Sequence, residues 1–116
     1  MPVDTADVTR LAQAAKALSD PIRLKMLGML AEGRGCFALP DLQTRNVPGA
    51  DAPTGICVCE FQKQFALGQS RTSYHLRVLK QAGLVTEETR GKWNFYELDR
   101  EAMAATLHAL QDLTAL

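Results

Sequence analysis

The spacing of the apolar residues changes abruptly at Gly83, and this constrains the fold more than any other feature of the sequence. Before it, residues 70–82 place Thr72, Leu76 and Leu79 at i, i+4 and i+7, one face of a helix. After it, residues 84–90 and 93–98 are rich in β-branched and aromatic side chains, with Gly91-Lys92 at the turn between them; they read as a hairpin. Gly83 itself suits the left-handed position just past a helix end. Upstream, residues 57–66 read as a helix with Phe61 and Phe65 one turn apart, followed by the short turn Ala66-Leu67-Gly68-Gln69. Two helices across a short glycine-containing turn form a helix-turn-helix. Each half of the pattern is common, but the two together at this spacing are specific.

The rest of the chain fills in around that centre. In residues 5–18, Val8, Leu11, Ala12, Ala15 and Leu18 recur at helical spacing, and Asp4 or Thr5 can cap the start. Asp20 suits an N-cap and Pro21 the first helical position of a second helix, 21–32, which offers Ile22, Met26, Met29 and Leu30 to a core. Residues 33–55 contain glycines and prolines without periodic apolar positions and read as a loop insertion, partly ordered. A last helix, 100–115, carries Met103, Leu107, Leu110 and Leu113 on one stripe. The order predicts a mainly α (α+β) domain: a winged helix-turn-helix with five main helices and a two-stranded β-hairpin wing, one domain over residues 1–116. A chain this small buries only about two-thirds of its surface, so an exposed apolar face implies a partner subunit.

Charge sharpens the reading. The chain has 13 basic and 13 acidic residues, which argues against a nucleic-acid binder recognised by bulk basicity. The distribution is uneven: residues 61–92 hold six basic residues (Lys63, Arg71, Arg77, Lys80, Arg90, Lys92) and two acidic ones (Glu87, Glu88). Positive charge thus gathers on the second helix of the pair and the hairpin, where phosphate neutralisation needs it. Recognition helices present their N-terminal residues to base edges, so Gln69, Ser70, Arg71, Ser73 and Tyr74 are candidate contacts to double-stranded DNA, with Arg77 further along. Arg71 suits guanine and Gln69 adenine. Ser73 and His75 are candidates for phosphate, and His75 reads equally well as a half-buried packing residue. Arg90 and Lys92 at the hairpin tip reach toward the minor groove or backbone, while Trp93, Phe95 and Tyr96 read as hairpin core.

Three cysteines, an odd number, point to reduced thiols rather than a disulfide framework. The acidic start of the chain lacks the features of a signal peptide, and no run approaches the roughly 20 apolar residues of a membrane span; the expectation is a cytoplasmic protein without a membrane partner. Cys57 and Cys59 fall near a helix N-terminus, where the helix dipole lowers thiol pKa.

Several stretches resemble the ArsR/SmtB family of metal- and metalloid-responsive repressors: Ala17-Leu18-Ser19-Asp20-Pro21-Ile22-Arg23-Leu24, Ile56-Cys57-Val58-Cys59-Glu60-Phe61, Gly68-Gln69-Ser70-Arg71-Thr72-Ser73-Tyr74-His75-Leu76-Arg77-Val78-Leu79-Lys80, Ala82-Gly83-Leu84-Val85 and Gly91-Lys92-Trp93-Asn94-Phe95-Tyr96. The segment Cys57-Val58-Cys59-Glu60 is similar to the metalloid-binding motif of the arsenical-resistance repressors. The resemblance implies a homodimer paired through the first and last helices. It also implies binding to a palindromic operator when ligand-free, with release on binding trivalent arsenic or antimony. No constitutive cofactor and no enzymatic activity are implied.

Trivalent arsenic is thiophilic and takes three thiolates in a pyramid. In a regular helix, residues i and i+2 point about 200° apart. Gripping one atom with Cys57 and Cys59 should therefore unwind the first helical turn, less so if Cys57 precedes the helix. The family's third cysteine, three residues after the second, is Gln62 here. Cys36, from either subunit, is the candidate third ligand; the alternatives are a two-thiolate site completed by another donor, or Cys36 as a small buried residue. The family's other site, on the last helix, would have His108 and Asp112, with Glu101 a poor addition, and suits a surface or interface role better than zinc or cadmium. Two other readings stand beside the metalloid sensor: a redox sensor using these cysteines, and a small C-x-C thiol-disulfide enzyme, against which the missing βαβ pattern speaks.

Overall fold

A computed structural model describes residues 5–33 and 55–115; Cys36 and almost all of the expected loop insertion lie outside the described residues. The elements are α1 (Thr5–Ala17), α2 (Pro21–Glu32), β1 (Ile56–Cys57), α3 (Val58–Phe65), α4 (Gln69–Gln81), β2 (Val85–Arg90), β3 (Trp93–Leu98) and α5 (Arg100–Thr114). The winged helix-turn-helix expected from the period change is present, with α3 and α4 as the helix pair and β2–β3 as the wing.

Local chemistry sets the boundaries. The Asp20 carboxylate accepts a 2.7 Å hydrogen bond from the Ile22 amide, and Pro21 opens α2 where no donor is needed. Gly83 follows α4 at φ +79°, as its position predicts. The turn between α3 and α4 differs from expectation. Its left-handed residue is Ala66, at φ 53° and ψ 43°, while Gly68 serves as the N-cap of α4. An alanine there costs roughly 1–2 kcal/mol, which the packing of both helices must offset.

Among the described residues the sheet has three antiparallel strands in the order β1-β3-β2, so a short strand joins the expected two-stranded hairpin. In the wing, Val85 faces Leu98 and Arg90 faces Trp93; β1 adds Ile56 opposite Tyr96 and Cys57 opposite Phe95. Two residues cannot display alternation, so β1 exists only because β3 offers it an edge. Cys57 consequently belongs to this strand and to the cap of α3 rather than to the helix itself.

One main core joins the elements. Met26, Leu27, Met29 and Leu30 of α2 pack with Ile56, Phe61, Leu76, Leu79, Leu84, Val85 and Tyr96. Each fully buried side chain of this kind contributes about 1.5–3 kcal/mol. Ile22, expected in this core, is only partly buried against it, whereas its neighbour Arg23 is buried. A second, smaller cluster joins Cys57 to Phe95, with Cys59 and Trp93 packed against it.

The terminal helices pack on each other and leave their apolar stripes uncovered. The buried residues of α1 are Ala14 and Ala17, not the periodic set, and Val8 is 47% exposed. No residue of α5 is buried; Leu107, Leu110 and Leu113 are 57%, 49% and 40% exposed. Val8, Leu11, Ala15, Leu18, Leu110 and Leu113 line a shared apolar groove. Among the described residues, no helix is long and apolar enough to cross a membrane.

Candidate nucleic-acid interface and thiol pair

Helix α4 is held from one side and open on the other. Thr72, Leu76 and Leu79 are fully buried, and the Thr72 hydroxyl donates to the Gly68 carbonyl at 2.9 Å, tightening the first turn. The opposite face presents Ser70, Arg71, Tyr74 and Arg77 to solvent, with Ser73 half-buried beside them, and Gln69 is exposed at the helix end. The structure thus brings four of the predicted contacts onto one exposed face and leaves Gln69 exposed at the helix N-terminus.

His75 is a correction to the predicted set. It is buried, and its Nδ1 lies 3.1 Å from Nη1 of Arg23. A guanidinium has only donors, so Nδ1 accepts and the ring proton sits on Nε2. Burial holds the imidazole below its ordinary pKa; nearby Arg23 and Arg71 act in the same direction and Asp20 against it. Neutral His75 is therefore a strut behind the exposed face and cannot reach phosphate from there. Arg23, which the sequence reading passed over, completes the strut: Nε donates to the Ala17 carbonyl at 2.7 Å and Nη2 to that of Lys16 at 3.2 Å. Its cost of burial is offset because every contact is to an acceptor.

The wing is more internally paired than its charge count implied. Lys80 donates to Glu87 at 2.7 Å, and the Tyr96 hydroxyl donates to the other Glu87 oxygen at 2.7 Å. These two bonds hold the Glu87 carboxyl below its ordinary pKa, while burial and the same bond raise that of Tyr96. Arg90 bonds both oxygens of Glu88, at 3.1 and 3.3 Å. Its guanidinium also lies 4.2 Å from the Phe95 ring centre, and the Lys92 ammonium 5.3 Å from that of Trp93. Arg90 is half-buried in this arrangement and Lys92 exposed. The hairpin-core expectation thus fits Phe95 and Tyr96, which are buried, more fully than Trp93, which is half-buried.

The thiol pair sits where β1 meets α3. Cys57 is the N-cap of α3, with extended backbone at φ −72° and ψ 148°. Its sulfur accepts from the Cys59 amide at 3.4 Å, and the buried Glu60 carboxylate accepts from the Cys57 amide at 3.4 Å. This is a capping box with sulfur in place of the usual hydroxyl oxygen, and the C-x-x-E spacing was its available signal.

Two expectations about the thiols change as a result. The sulfurs converge, Cys59 Sγ donating to Cys57 Sγ at 2.9 Å, so no helical turn need unwind to bring them together. The 200° separation applies to two residues within a helix, and Cys57 lies ahead of it. The Cys59 thiol is pushed up in pKa, not down: its proton is held by the Cys57 sulfur, and burial and nearby negative charge act in the same direction. Cys57 is 2% exposed and Cys59 half-buried. Among the described residues no three His, Cys, Asp or Glu side chains gather to hold a metal, and Glu101, His108 and Asp112 of α5 are all exposed.

Comparison with known proteins agrees with this architecture. The model of the bacterial regulatory protein arsR family matches residues 56–87, from β1 through the first residues of the wing. An uncharacterised helix-turn-helix transcriptional regulator of Bacillus subtilis is 36% identical over 76% of this chain and 82% of its own length. The arsenical resistance operon repressor of the same organism is 43% identical over 44% of this chain, a stretch spanning about half (49%) of that repressor. A homodimeric winged helix-turn-helix DNA-binding domain from Mycobacterium bovis superposes with a TM-score of 0.63 at 21% identity, covering 99% of this chain and 90% of that domain.

Proposed function

The chain belongs to the ArsR family of bacterial transcriptional regulators, and from that premise we propose that it is a metalloid-responsive repressor, releasing operator DNA when Cys57 and Cys59 bind trivalent arsenic or antimony. The observation that carries this reading is the 2.9 Å convergence of the two sulfurs. The likeness to the Bacillus subtilis arsenical resistance repressor supports it. The ligand chemistry balances simply. Arsenous acid exchanges its three hydroxyl groups for three thiolates; the three thiol protons leave with the hydroxyls as three waters. Cys36, outside the described residues, is the third thiolate in this reading.

The DNA-bound state is a homodimer. The uncovered groove of α1 and α5 supports this, as does the homodimeric state of the Mycobacterium bovis domain. Helix α4 enters the major groove, where Arg71 and Gln69 read bases and Ser70, Ser73, Tyr74 and Arg77 position the helix. Arg90 and Lys92 contact the flanking backbone or minor groove. Two such patches side by side bind specifically, while the chain's zero net charge keeps non-specific binding modest.

The test is operator release by arsenite, using a site selected from random duplexes. Cys57→Ser should bind DNA as wild type and lose release. Wild-type protein that holds its operator in arsenite sinks the reading; so does a Cys57→Ser variant as weak on DNA as Arg71→Ala. The sulfur approach also supports a second reading, a peroxide sensor in which two thiols and one peroxide give a disulfide and two waters. Release by peroxide but not arsenite would select it.

A further inference from the structure

The thiol pair does not pack in the core that holds α4. Cys57 lies opposite Phe95 across the β1–β3 pairing, and the two form the small cluster against which Cys59 and Trp93 pack. Each of those two rings carries one wing cation: Arg90 over Phe95 at 4.2 Å, Lys92 over Trp93 at 5.3 Å. The anchors of α4, Leu76 and Leu79, belong to the other cluster.

We propose that Phe95 and Trp93 relay occupancy of the Cys57–Cys59 pair to the wing cations Arg90 and Lys92, so that metalloid binding withdraws the wing from DNA before it disturbs the reading helix. The proposal rests on the metalloid reading of the thiols given above. Cys57 is 2% exposed and Phe95 1% exposed, so an atom added to the Cys57 sulfur on that side meets the Phe95 ring rather than solvent. Close-packed neighbours accommodate an added atom by moving. On the β1 side the backbone is already close: a Cβ at Gly55 would stand 3.2 Å from the Phe95 Cβ and 3.5 Å from a guanidinium nitrogen of Arg90. Trp93 is half-buried and is the neighbour with room to turn. A ring that turns carries its stacked cation with it, and the wing loses the positions from which Arg90 and Lys92 meet phosphate.

Trp93 is the only tryptophan in the chain, which makes the relay directly observable. Purified homodimer is titrated with arsenite while three quantities are followed: protection of thiols from a chromogenic disulfide reagent, Trp93 emission, and release of labelled operator. In wild type, thiol protection, the emission change and release should share one midpoint. In Phe95→Leu, thiol protection should come at the same or lower arsenite while release shifts to about tenfold more, a loss of coupling of ordinary allosteric size. Steady Trp93 emission in wild type while thiols become protected and operator is released overturns the relay and leaves the metalloid reading standing. So does a Phe95→Leu variant that releases with the wild-type midpoint. If that variant does not fold, the wild-type emission decides alone. Failure of arsenite to protect any thiol overturns the metalloid reading, and the relay with it.

Discussion

Helix α4 and the wing carry the basic residues of the candidate DNA surface, but they are held in different ways. The helix is fixed from behind by fully buried Leu76 and Leu79 and by the His75–Arg23 strut, and its exposed side chains point to solvent. The wing cations rest on Phe95 and Trp93, which share a cluster with the thiols. In the function proposed above, base reading is therefore built on a helix seated in the main core. Control by a ligand at Cys57 and Cys59 is, in the same proposal, built on the wing, whose rings share the thiol cluster. A sensor of the kind proposed above benefits from this division, because a ligand that first unfolded the recognition helix would spend binding energy on the core.

The largest test of that contrast is packing. Leu76→Ala should cost about 2–5 kcal/mol in chemical denaturation, whereas Phe95→Leu, which keeps an apolar side chain, should cost about 1–1.5 kcal/mol. Equal losses would mean that Phe95 is held as firmly as Leu76. The next test separates reading from holding. Arg71→Ala should lose about 1–3 kcal/mol at one base position of each half-site, while Lys92→Ala should weaken all sequences alike and lower the salt slope by about one. A uniform loss for Arg71→Ala would move that residue to the phosphate-contacting set.

The smallest expected effect concerns pH. His75 in the folded chain has a lower proton affinity than in the unfolded chain, whose ordinary value is about 6.5. As pH falls through about 6.5, the unfolded chain takes up the proton first, so stability declines on the acid side and is unaffected above it. Melting temperatures at pH 7.5 and 5.5 should differ more for wild type than for His75→Gln. Equal differences would show that the Arg23 strut does not depend on a neutral ring.

Local chemistry explains most of what was legible beforehand. Asp20-Pro21, Gly83 and the change of period at Gly83 act through backbone geometry and nearest neighbours, and the elements they predict are present within a residue or so. Less was legible at the thiol pair. Periodicity placed Cys57 in the helix, because nothing local announces a two-residue strand. Pairing with Phe95 puts it outside, and that one displacement turns diverging sulfurs into converging ones. His75 shows the same limit: its place on α4 was clear, but whether it faces DNA or Arg23 depends on where a second helix packs.

The sequence by itself determined the order of elements, the helix pair with its wing, and the concentration of positive charge on them, since each follows from spacing and composition along the chain. The tertiary structure alone decided which apolar stripes were core and which stayed open on α1 and α5. It alone set the Cys57 and Cys59 sulfurs together and gave each wing cation a ring to rest on. Those outcomes depend on contacts between residues distant in sequence, and such contacts are fixed only when the elements pack.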